Sequence, residues 1–392
     1  MSLEKYDRLK RIPNWKQETL ANAKVAVFGC GALGNEVLKN LALLGVGHIW
    51  VVDYDTIEIH NLTRSVLFRE SDIGRHKAEV VAARVKELNP DTQIYPIIGK
   101  LEYAFGRGLL REMNVAFGCL DSVGARREIN KRCYFAGVPW IDGGINHQLG
   151  NVAVFDPRVP ETACYRCQMD RSAWERLNER YSCGYLKDDF KEPTMATTIM
   201  TSAVVSAYQV EAAVQLLLWE ESYLKPGTSL FLPVSNPVGF RVVKFPLDRE
   251  CPDHDSIPQP SQTVVVSVKY ESTPKQVAQE LDLWDDWQLE LPFDFVSKFV
   301  CENCGYIEPV RKPLKEVKQG AMRCPQCGNL NREAVKYFRL TADSEDADLS
   351  FKDFSLSNRE LLTYSGSTDQ GKVNVELCSE GSQVKQGDRE DE

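Results

Sequence analysis

The feature that most constrains the fold is a glycine-rich loop, GCGALG (Gly29–Gly34), placed between a buried strand and an amphipathic helix. Lys24–Phe28 before the loop is apolar after its first residue, and apolar residues recur at helical spacing over Asn35–Leu44 after the loop. Such glycines allow a tight turn and let backbone N–H groups approach a phosphate at the positive end of a helix. The pattern predicts a β-α-β unit that binds a nucleotide through Gly29, Gly31 and Gly34.

The alternation of strands and helices continues beyond this unit. The sequence predicts further strands at His48–Asp55, Thr92–Ile97 and Asn114–Leu120, and helices at Ala78–Leu88, Arg126–Phe135 and Thr201–Leu218. Strands that alternate with helices imply a parallel sheet covered by helices on both faces, which is the doubly wound α/β arrangement.

Polar side chains follow the second and fourth predicted strands, where a nucleotide would lie. Asp53 follows Gly34 by 19 residues, in the position of an acid that holds ribose hydroxyls. The loop and this acid alone would also fit an NAD-dependent dehydrogenase. The acids and cations that come next exceed what a dinucleotide pyrophosphate needs, whereas a triphosphate with Mg²⁺ requires them. The predicted ligands of ATP and Mg²⁺ are therefore Asp53, Asp55, Asn61, Arg64, Lys77 and Asp121.

In the order of these motifs the sequence resembles the ThiF/MoeB family of adenylyltransferases, whose superfamily contains the ubiquitin-activating enzymes. The resemblance runs from Tyr6 to His254 and rests on YDR, GCGALG, DYDTIEIHNLTR, IGRHK, LDS, CYRC and SC. Departures from the family pattern include Ser65 in place of the usual Gln, Gly118 in place of the usual acid, and His254 in place of a cysteine. The resemblance implies a Rossmann-like adenylation fold.

The resemblance also implies an activity and a set of residue roles. The activity is ATP- and Mg²⁺-dependent adenylation of the C-terminal glycine of a small ubiquitin-like or sulfur-carrier protein. Asp53 matches the ribose-binding acid, and Asp121 matches the acid linked to Mg²⁺. Arg8 matches the arginine that reaches into the partner's site in the family's homodimers, so a homodimer is expected. A conjugating enzyme would be a further partner if the product serves protein conjugation. The residues that match the triphosphate binders are Asn61, Arg64 and Lys77.

The twelve cysteines point to zinc rather than to disulfides, because six of them form CxxC pairs. CYRC is matched downstream by CPDH, and together they supply four ligands for a tetrahedral zinc. The other two CxxC pairs are 19 residues apart and each is followed by glycine, which predicts a zinc ribbon. Two structural Zn²⁺ ions are expected, on Cys164, Cys167, Cys251 and His254 and on Cys301, Cys304, Cys324 and Cys327.

The remaining cysteines separate into packing residues and one candidate nucleophile. Cys30, Cys119 and Cys133 are expected to be packing residues of the loop, a strand and a helix. Cys183 lies in the polar segment RYSCGYLKDD and matches the family's cysteine in the loop that crosses over the adenylate. Nearby cations would hold part of this thiol as thiolate, which could attack the adenylate and form a thioester.

Composition divides the chain into five segments and suggests its environment. The net charge of −9 argues against nucleic acid as a partner. No run reaches the ~18 apolar residues of a membrane span, and the N-terminal residues show no export signal, so a cytoplasmic protein without membrane contact is expected. The expected fold class is α/β, a Rossmann-like and mainly parallel sheet with a small C-terminal zinc ribbon. The segments are 1–22 (helical, carrying Arg8), 23–255 (adenylation domain), 256–262 (linker), 263–340 (zinc-ribbon domain) and 341–392 (an acidic, largely flexible tail in which Val373–Cys378 could add a strand).

Three other functions stay open at this stage. An enzyme that adenylates a peptide or a tRNA base without a thioester step would not need Cys183. A non-catalytic scaffold that pairs with an active homologue would not need the phosphate-binding cations such as Arg64 and Lys77. The NAD-dependent dehydrogenase would be revived by tight binding of NADH.

Overall fold

The computed structural model describes residues 3–146, 148–169, 196–233, 239–255, 265–283, 286–317, 319–366 and 372–378. These residues divide into two compact units, one that ends at Asp255 and one that begins at Val265. The predicted linker (256–262) and the candidate nucleophile Cys183 lie outside the described residues.

The first unit is a mixed sheet with helices on both faces. Its strands are β1 (Lys24–Phe28), β2 (His48–Asp53), β3 (Gln93–Ile98), β4 (Val115–Gly118), β5 (Trp140–Ile145), β6 (Leu149–Phe155), β7 (Thr228–Pro233) and β8 (Arg241–Lys244). Its helices are α1 (Asp7–Lys10), α2 (Gln17–Asn22), α3 (Ala32–Leu44), α4 (Lys77–Leu88), α5 (Leu101–Ala104), α6 (Arg107–Leu110), α7 (Val123–Ala136), α8 (Ile199–Trp219) and α9 (Pro252–Asp255).

The strand order places a crevice at one edge of the first sheet. Within the described residues the order is β3-β2-β1-β4-β5-β6-β7-β8. Strands β1 to β5 run parallel to one another, and β6, β7 and β8 each run antiparallel to the preceding strand in this order. After β1 the chain adds β2 and β3 on one side of that strand and then adds β4 and β5 on its other side. The carboxyl ends of β1, β2 and β4 therefore border a crevice where the direction of addition switches.

Strand β1 shows how the sheet is buried on both faces. Val25 and Val27 pack in a cluster with α3, α4 and α8, whereas Ala26 and Phe28 pack in a second cluster with α7. A strand covered on both faces has no polar side, which accounts for its continuous apolar run. The helices on both faces confirm the doubly wound prediction. The three antiparallel strands at the end make the sheet mixed.

The second unit has its own sheet and core. Its strands are β9 (Val265–Lys269), β10 (Trp287–Cys301), β11 (Ile307–Pro313), β12 (Arg332–Thr341), β13 (Leu361–Gly366) and β14 (Lys372–Cys378), and its helix is α10 (Pro274–Glu280). The described strands follow the order β11-β10-β13-β14-β9, with β12 paired to β10. The predicted strand at Val373–Cys378 is confirmed as β14.

The expectation of a largely flexible tail from residue 341 does not hold for the described residues of that segment. Phe351, Phe354, Leu362 and Val375 are completely buried in the core of the second unit. The sequence did not predict this core, because the segment is rich in acids and serines, which lie between its few apolar residues. The folded unit that carries the ribbon therefore continues past the predicted boundary at 340.

No helix in the described part of the chain is both long enough and apolar enough to span a membrane.

Candidate nucleotide site and metal centres

The glycine loop between β1 and α3 requires glycine at two of its three glycine positions. Gly29 has φ +98°, in the left-handed region, and its N–H donates to the carbonyl of Val52 at 2.9 Å. A Cβ on Gly34 would lie 1.9 Å from the carbonyl oxygen of Gly29. Gly31 differs, because its φ is −68° and a Cβ there would meet no atom within 4 Å. Gly29 and Gly34 thus shape the loop, and Gly31 leaves open space at the start of α3.

Asp53, at the end of β2, is fixed against this loop. Its Oδ2 accepts a hydrogen bond from the backbone N–H of Cys30 at 2.6 Å, and its Oδ1 accepts one from Asp55 at 2.8 Å. Burial raises the pKa of the Asp53 carboxyl, while the nearby Lys77 ammonium and the two backbone donors oppose that rise. The predicted ribose-binding acid is therefore hydrogen-bonded directly to the glycine loop.

Lys77 and Asp55 are separated by 22 positions in sequence but form an ion pair with 2.9 Å between Nζ and Oδ2. The backbone N–H of Lys77 also donates to the carbonyl of Asp55 at 3.0 Å, which closes the intervening segment into a loop. Lys77 is the first residue of α4 and is buried, while Asp55 is exposed. The structure thus brings this predicted cation and acid together.

Asn61 and Arg64 contact their own loop. Asn61 is buried and its Oδ1 accepts from the N–H of Glu58 at 2.9 Å, and Arg64 donates from Nη1 to the carbonyl of His60 at 2.7 Å. Within the described residues neither side chain forms a hydrogen bond or an ion pair with Asp53 or Lys77, so their convergence on a phosphate stays a prediction.

Asn35, which the sequence analysis did not single out, ties that loop to the glycine loop. It is completely buried on α3. Its Nδ2 donates to the carbonyl of Cys30 at 2.7 Å, and its Oδ1 accepts from the N–H of Leu67 at 2.9 Å. Its position, one residue after the GxGxxG motif, is the only signal in the sequence that could have indicated this role.

Asp121 follows β4 and is exposed, as a candidate ligand for Mg²⁺ must be. Its charge, like that of Asp55, affects Tyr54. Burial is the largest cause of the raised pKa of the Tyr54 hydroxyl, and the charges of Asp55 and Asp121 raise it further. The ammonium of Lys100 lies 5.9 Å from the centre of the Tyr54 ring. Asp55 and Asp121 are both exposed and follow the parallel strands β2 and β4 at the carboxyl edge of the sheet, and oxygen ligands of this kind suit Mg²⁺.

Arg126, on α7, fixes the main chain that carries Asp121. Its Nε and Nη2 donate to the carbonyl of Leu120 at 3.0 and 2.8 Å, and Nη2 also donates to Gly143 at 3.1 Å. The buried carboxylate of Asp142 lies 3.4 Å from Nε. The sequence showed Arg126 only as one polar residue of a predicted helix, so its role could not be inferred from periodicity.

The first predicted zinc set is assembled in the structure. The ligand atoms lie within 4.8 Å of one another, and the sulfur of Cys164 is 3.7 Å from the sulfurs of both Cys167 and Cys251. His254 Nε2 is 3.6 Å from the sulfur of Cys167. Tetrahedral zinc with Zn–S bonds of about 2.3 Å places neighbouring sulfurs roughly 3.7 Å apart, so this donor set fits Zn²⁺.

The second set lies at the end of β10, and its ligand atoms also lie within 4.8 Å of one another. Gly305 and Gly328 have φ of +70° and +73°, and each N–H donates at 2.9 Å to the carbonyl of the first cysteine of its pair. Sulfur atoms of opposite pairs are 3.6 and 3.7 Å apart, which again fits tetrahedral zinc. The residues are Cys301, Cys304, Cys324 and Cys327.

Comparison with known proteins agrees with this geometry. The ThiF family profile matches residues 4–252, which is more than half of the chain. The chain belongs to the ThiF family. A NEDD8-activating enzyme E1 catalytic subunit from Caenorhabditis elegans is 40% identical over 166 residues, which cover 39% of this chain and 38% of that protein. A molybdopterin-synthase adenylyltransferase from Salmonella typhimurium is 35% identical over 151 residues, covering 38% of this chain and 60% of that protein.

The alignments with these relatives are partial. A SUMO-activating enzyme subunit 2 from Dictyostelium discoideum is matched over only 23% of its length, and the other two relatives over 38% and 60%. A crystal structure of E. coli MccB shares the fold, with a TM-score of 0.50 at 23% identity, covering 63% of this chain and 71% of that one. The comparisons thus establish the ThiF family and its fold.

Arg8, the expected arginine of ThiF homodimers, lies close to the C-terminal end of α3, whereas the glycine loop lies at the N-terminal end of that helix. Its side chain is exposed on α1, and this helix begins directly after the buried Tyr6. The Tyr6 hydroxyl accepts a hydrogen bond from Asn89 at 2.9 Å and borders Gly45, the residue that ends α3. Because α3 has 13 residues, its two ends are about 20 Å apart. Arg8 is therefore anchored near the end of α3 that is remote from the nucleotide site.

Three of the cysteines outside the zinc sets are buried in this ThiF unit, as predicted. Cys30 and Cys133 are completely buried and Cys119 is 9% exposed. Burial raises the pKa of each thiol, so these thiols are neutral near pH 7 and poor nucleophiles.

Proposed function

We propose that this chain uses ATP and Mg²⁺ to adenylate the C-terminal carboxylate of a small ubiquitin-like or sulfur-carrier protein. The observation that carries the proposal is the meeting of Asp53, the Asp55–Lys77 ion pair and the glycine loop at one edge of the sheet. A dinucleotide would not need this combination of a buried cation and exposed acids, whereas a triphosphate with Mg²⁺ would. The ThiF relatives named as activating enzymes and as an adenylyltransferase support the same reaction class.

Each residue has a role in the proposed reaction. N–H groups at the start of α3 receive phosphate oxygens, and Asp53 accepts hydrogen bonds from the ribose hydroxyls. Lys77 and Arg64 neutralise charge on the triphosphate, and Asn61 donates a hydrogen bond to a phosphate oxygen. Mg²⁺, held by Asp121 and adjoining acids, would supply charge neutralisation for the departing pyrophosphate.

The bonds made and broken follow from this arrangement. A carboxylate oxygen of the carrier attacks the α-phosphorus of ATP, the bond to the β-phosphate oxygen breaks, and pyrophosphate leaves. The product is an acyl-adenylate. Cys183, outside the described residues, is proposed to attack its carbonyl carbon as thiolate, which releases AMP and leaves a thioester.

The proposal extends to a homodimer in which Arg8 serves the partner's site. The anchoring of α1 near the C-terminal end of α3 supports a role outside the same chain's nucleotide site. An arginine supplied in trans would place positive charge where negative charge develops on the α-phosphate.

The experiment measures ATP–pyrophosphate exchange with a panel of small proteins that end in Gly-Gly, each paired with a version that lacks the last glycine. Lys77→Ala should reduce carrier-dependent exchange by about two orders of magnitude, because the phosphate charge loses its buried partner. Lys24→Ala is the matched control, since Lys24 also pairs with an acid, Glu112, at 3.0 Å but lies at the opposite end of β1.

Two readouts extend the same experiment. Wild type with ATP and an active carrier should give an adduct heavier by one carrier and labile to thiols, which Cys183→Ala loses while it keeps exchange. Exchange in Lys77→Ala equal to wild type would refute the proposed site, and tight NADH binding without exchange would favour a dehydrogenase.

A further inference from the structure

Asn130, in the third turn of α7, is completely buried, and both ends of its amide are engaged. Its Oδ1 accepts a hydrogen bond from the backbone N–H of Tyr165 at 3.0 Å, and its Nδ2 donates to Asp253 Oδ2 at 2.8 Å. Tyr165 follows Cys164, and Asp253 precedes His254. One amide therefore contacts both loops that supply ligands to the Cys₃His centre.

Two further contacts join the same elements. Arg166 Nη1 lies 3.2 Å from Asp253 Oδ1, so the CYRC loop is also paired directly with the CPDH loop. Tyr134, one turn after Asn130 on α7, stacks on the His254 imidazole with ring centres 5.5 Å apart and planes 15° apart. Helix α7 thus contacts this centre through Tyr134 and Asn130, and Asn130 hydrogen-bonds to both ligand loops.

The centre needs such an organising contact because its two halves are remote in sequence. Cys164 and Cys251 are 87 positions apart, yet their sulfurs approach to 3.7 Å. Three thiolates brought together repel one another until a metal is bound. A neutral amide that both donates and accepts can fix the two loops without adding charge beside those sulfurs.

We propose that Asn130 is a positioning residue for the Cys₃His centre, setting the separation and orientation of the CYRC and CPDH loops so that their donors meet at one metal ion. Groups in the outer shell of a metal site commonly alter metal affinity by about 10–100-fold when they are removed. The Cys₄ ribbon belongs to the other compact unit, so it serves as an internal reference in the same molecule.

The test measures zinc release from the full chain, loaded with two Zn²⁺, to the chromophoric chelator 4-(2-pyridylazo)resorcinol. Asn130→Ala should accelerate release of one of the two ions by about 10–100-fold and leave the other unchanged. Cobalt(II) substitution identifies the affected ion, because a three-sulfur, one-nitrogen site and a four-sulfur site have different visible spectra.

Two comparisons separate positioning from a general loss of stability. Ile49→Val removes a buried methyl group from the other core cluster of the first unit, which contains none of the predicted zinc ligands, and it should leave both release rates unchanged. Asn130→Asp places a second carboxylate against Asp253 and should release zinc faster than wild type. The double variant Asn130→Asp with Asp253→Asn exchanges donor and acceptor, and it should return the rate toward that of wild type.

The outcomes are decisive in either direction. Equal release by Asn130→Ala and wild type, equal acceleration by Ile49→Val, or acceleration of the ribbon ion would each overturn the proposal. If Asn130→Ala does not fold, the comparison of Asn130→Asp with the double variant decides. A double variant that releases zinc as fast as Asn130→Asp would then contradict the proposal.

Discussion

Replacing Gly34 by alanine should strongly destabilise the first unit, whereas the same replacement at Gly31 should be tolerated. At Gly34 the new Cβ would lie 1.9 Å from the carbonyl oxygen of Gly29 and 2.9 Å from its carbonyl carbon. Ordinary contact requires about 3.5 Å, so backbone must move by roughly 1.5 Å. Overpacking typically costs 1–3 kcal/mol, and a clash with backbone rather than with a flexible side chain puts this variant at about 3 kcal/mol or more.

Gly31 provides the matched control within the same motif. Its φ of −68° suits any residue, and a Cβ there would meet nothing within 4 Å. Gly31 caps the N-terminus of α3, where alanine is less favourable than glycine by up to about 1 kcal/mol. The two variants should therefore differ by about 2 kcal/mol or more in the free energy of unfolding.

Differential scanning calorimetry of the full chain provides the assay. For a unit of this size, 1 kcal/mol shifts Tm by about 2–4 °C, so Gly34→Ala should lower the transition of the first unit by about 6–12 °C. Equal transitions for the two variants would show that the loop relaxes freely and would refute the steric argument. MgATP affinity of the folded Gly31→Ala protein then reports whether phosphate occupies the open space beside this residue.

Two further predictions concern the same unit. Burial raises the pKa of Asp53 above the value of about 3.9 in an unfolded chain, so wild type should lose stability relative to Asp53→Asn as pH rises from about 4 through that raised pKa. Urea unfolding of both proteins at a series of pH values checks this prediction. A difference in unfolding free energy that does not change with pH would contradict it. If Arg8 acts in trans, mixing Arg8→Ala with Lys77→Ala subunits should restore exchange through one working site per mixed dimer; a mixture that stays inactive although subunits exchange would exclude the arrangement.

The parallel part of the fold was predictable because its strands are buried on both faces. Strand β1 and helix α3 carry uninterrupted apolar patterns, and the glycine loop between them marks both boundaries. The antiparallel strand β8 was not predicted, because all four of its residues, Arg241–Lys244, are exposed and show no inward-facing pattern. The core of the second unit was missed for a related reason, since Phe351 and Phe354 stand alone among acids and serines.

The candidate site divides in the same way. Asp53 and Lys77 could be predicted because each stands at a fixed place relative to a strand end or a helix start. The roles of Asn35, Arg126 and Asn130 could not be predicted, because a polar residue in a predicted helix is expected to be exposed to solvent unless the packing is known. Those three residues hydrogen-bond to backbone groups of other segments, and apart from the position of Asn35 directly after the glycine motif, sequence spacing carries no signal for such contacts.

Strand β10 has a consequence for how the ribbon could have been acquired and retained. One strand of 15 residues begins at Trp287, in the core of the second unit, and ends at Cys301, the first ligand of the ribbon. At about 3.3 Å per residue it spans roughly 50 Å. Deleting the ribbon would therefore cut a strand on which the core depends, and inserting one would require extending that strand in register. The metal-binding end and the apolar end of this unit should consequently be inherited together, and relatives that lack the cysteines should also differ in the strand that carries them.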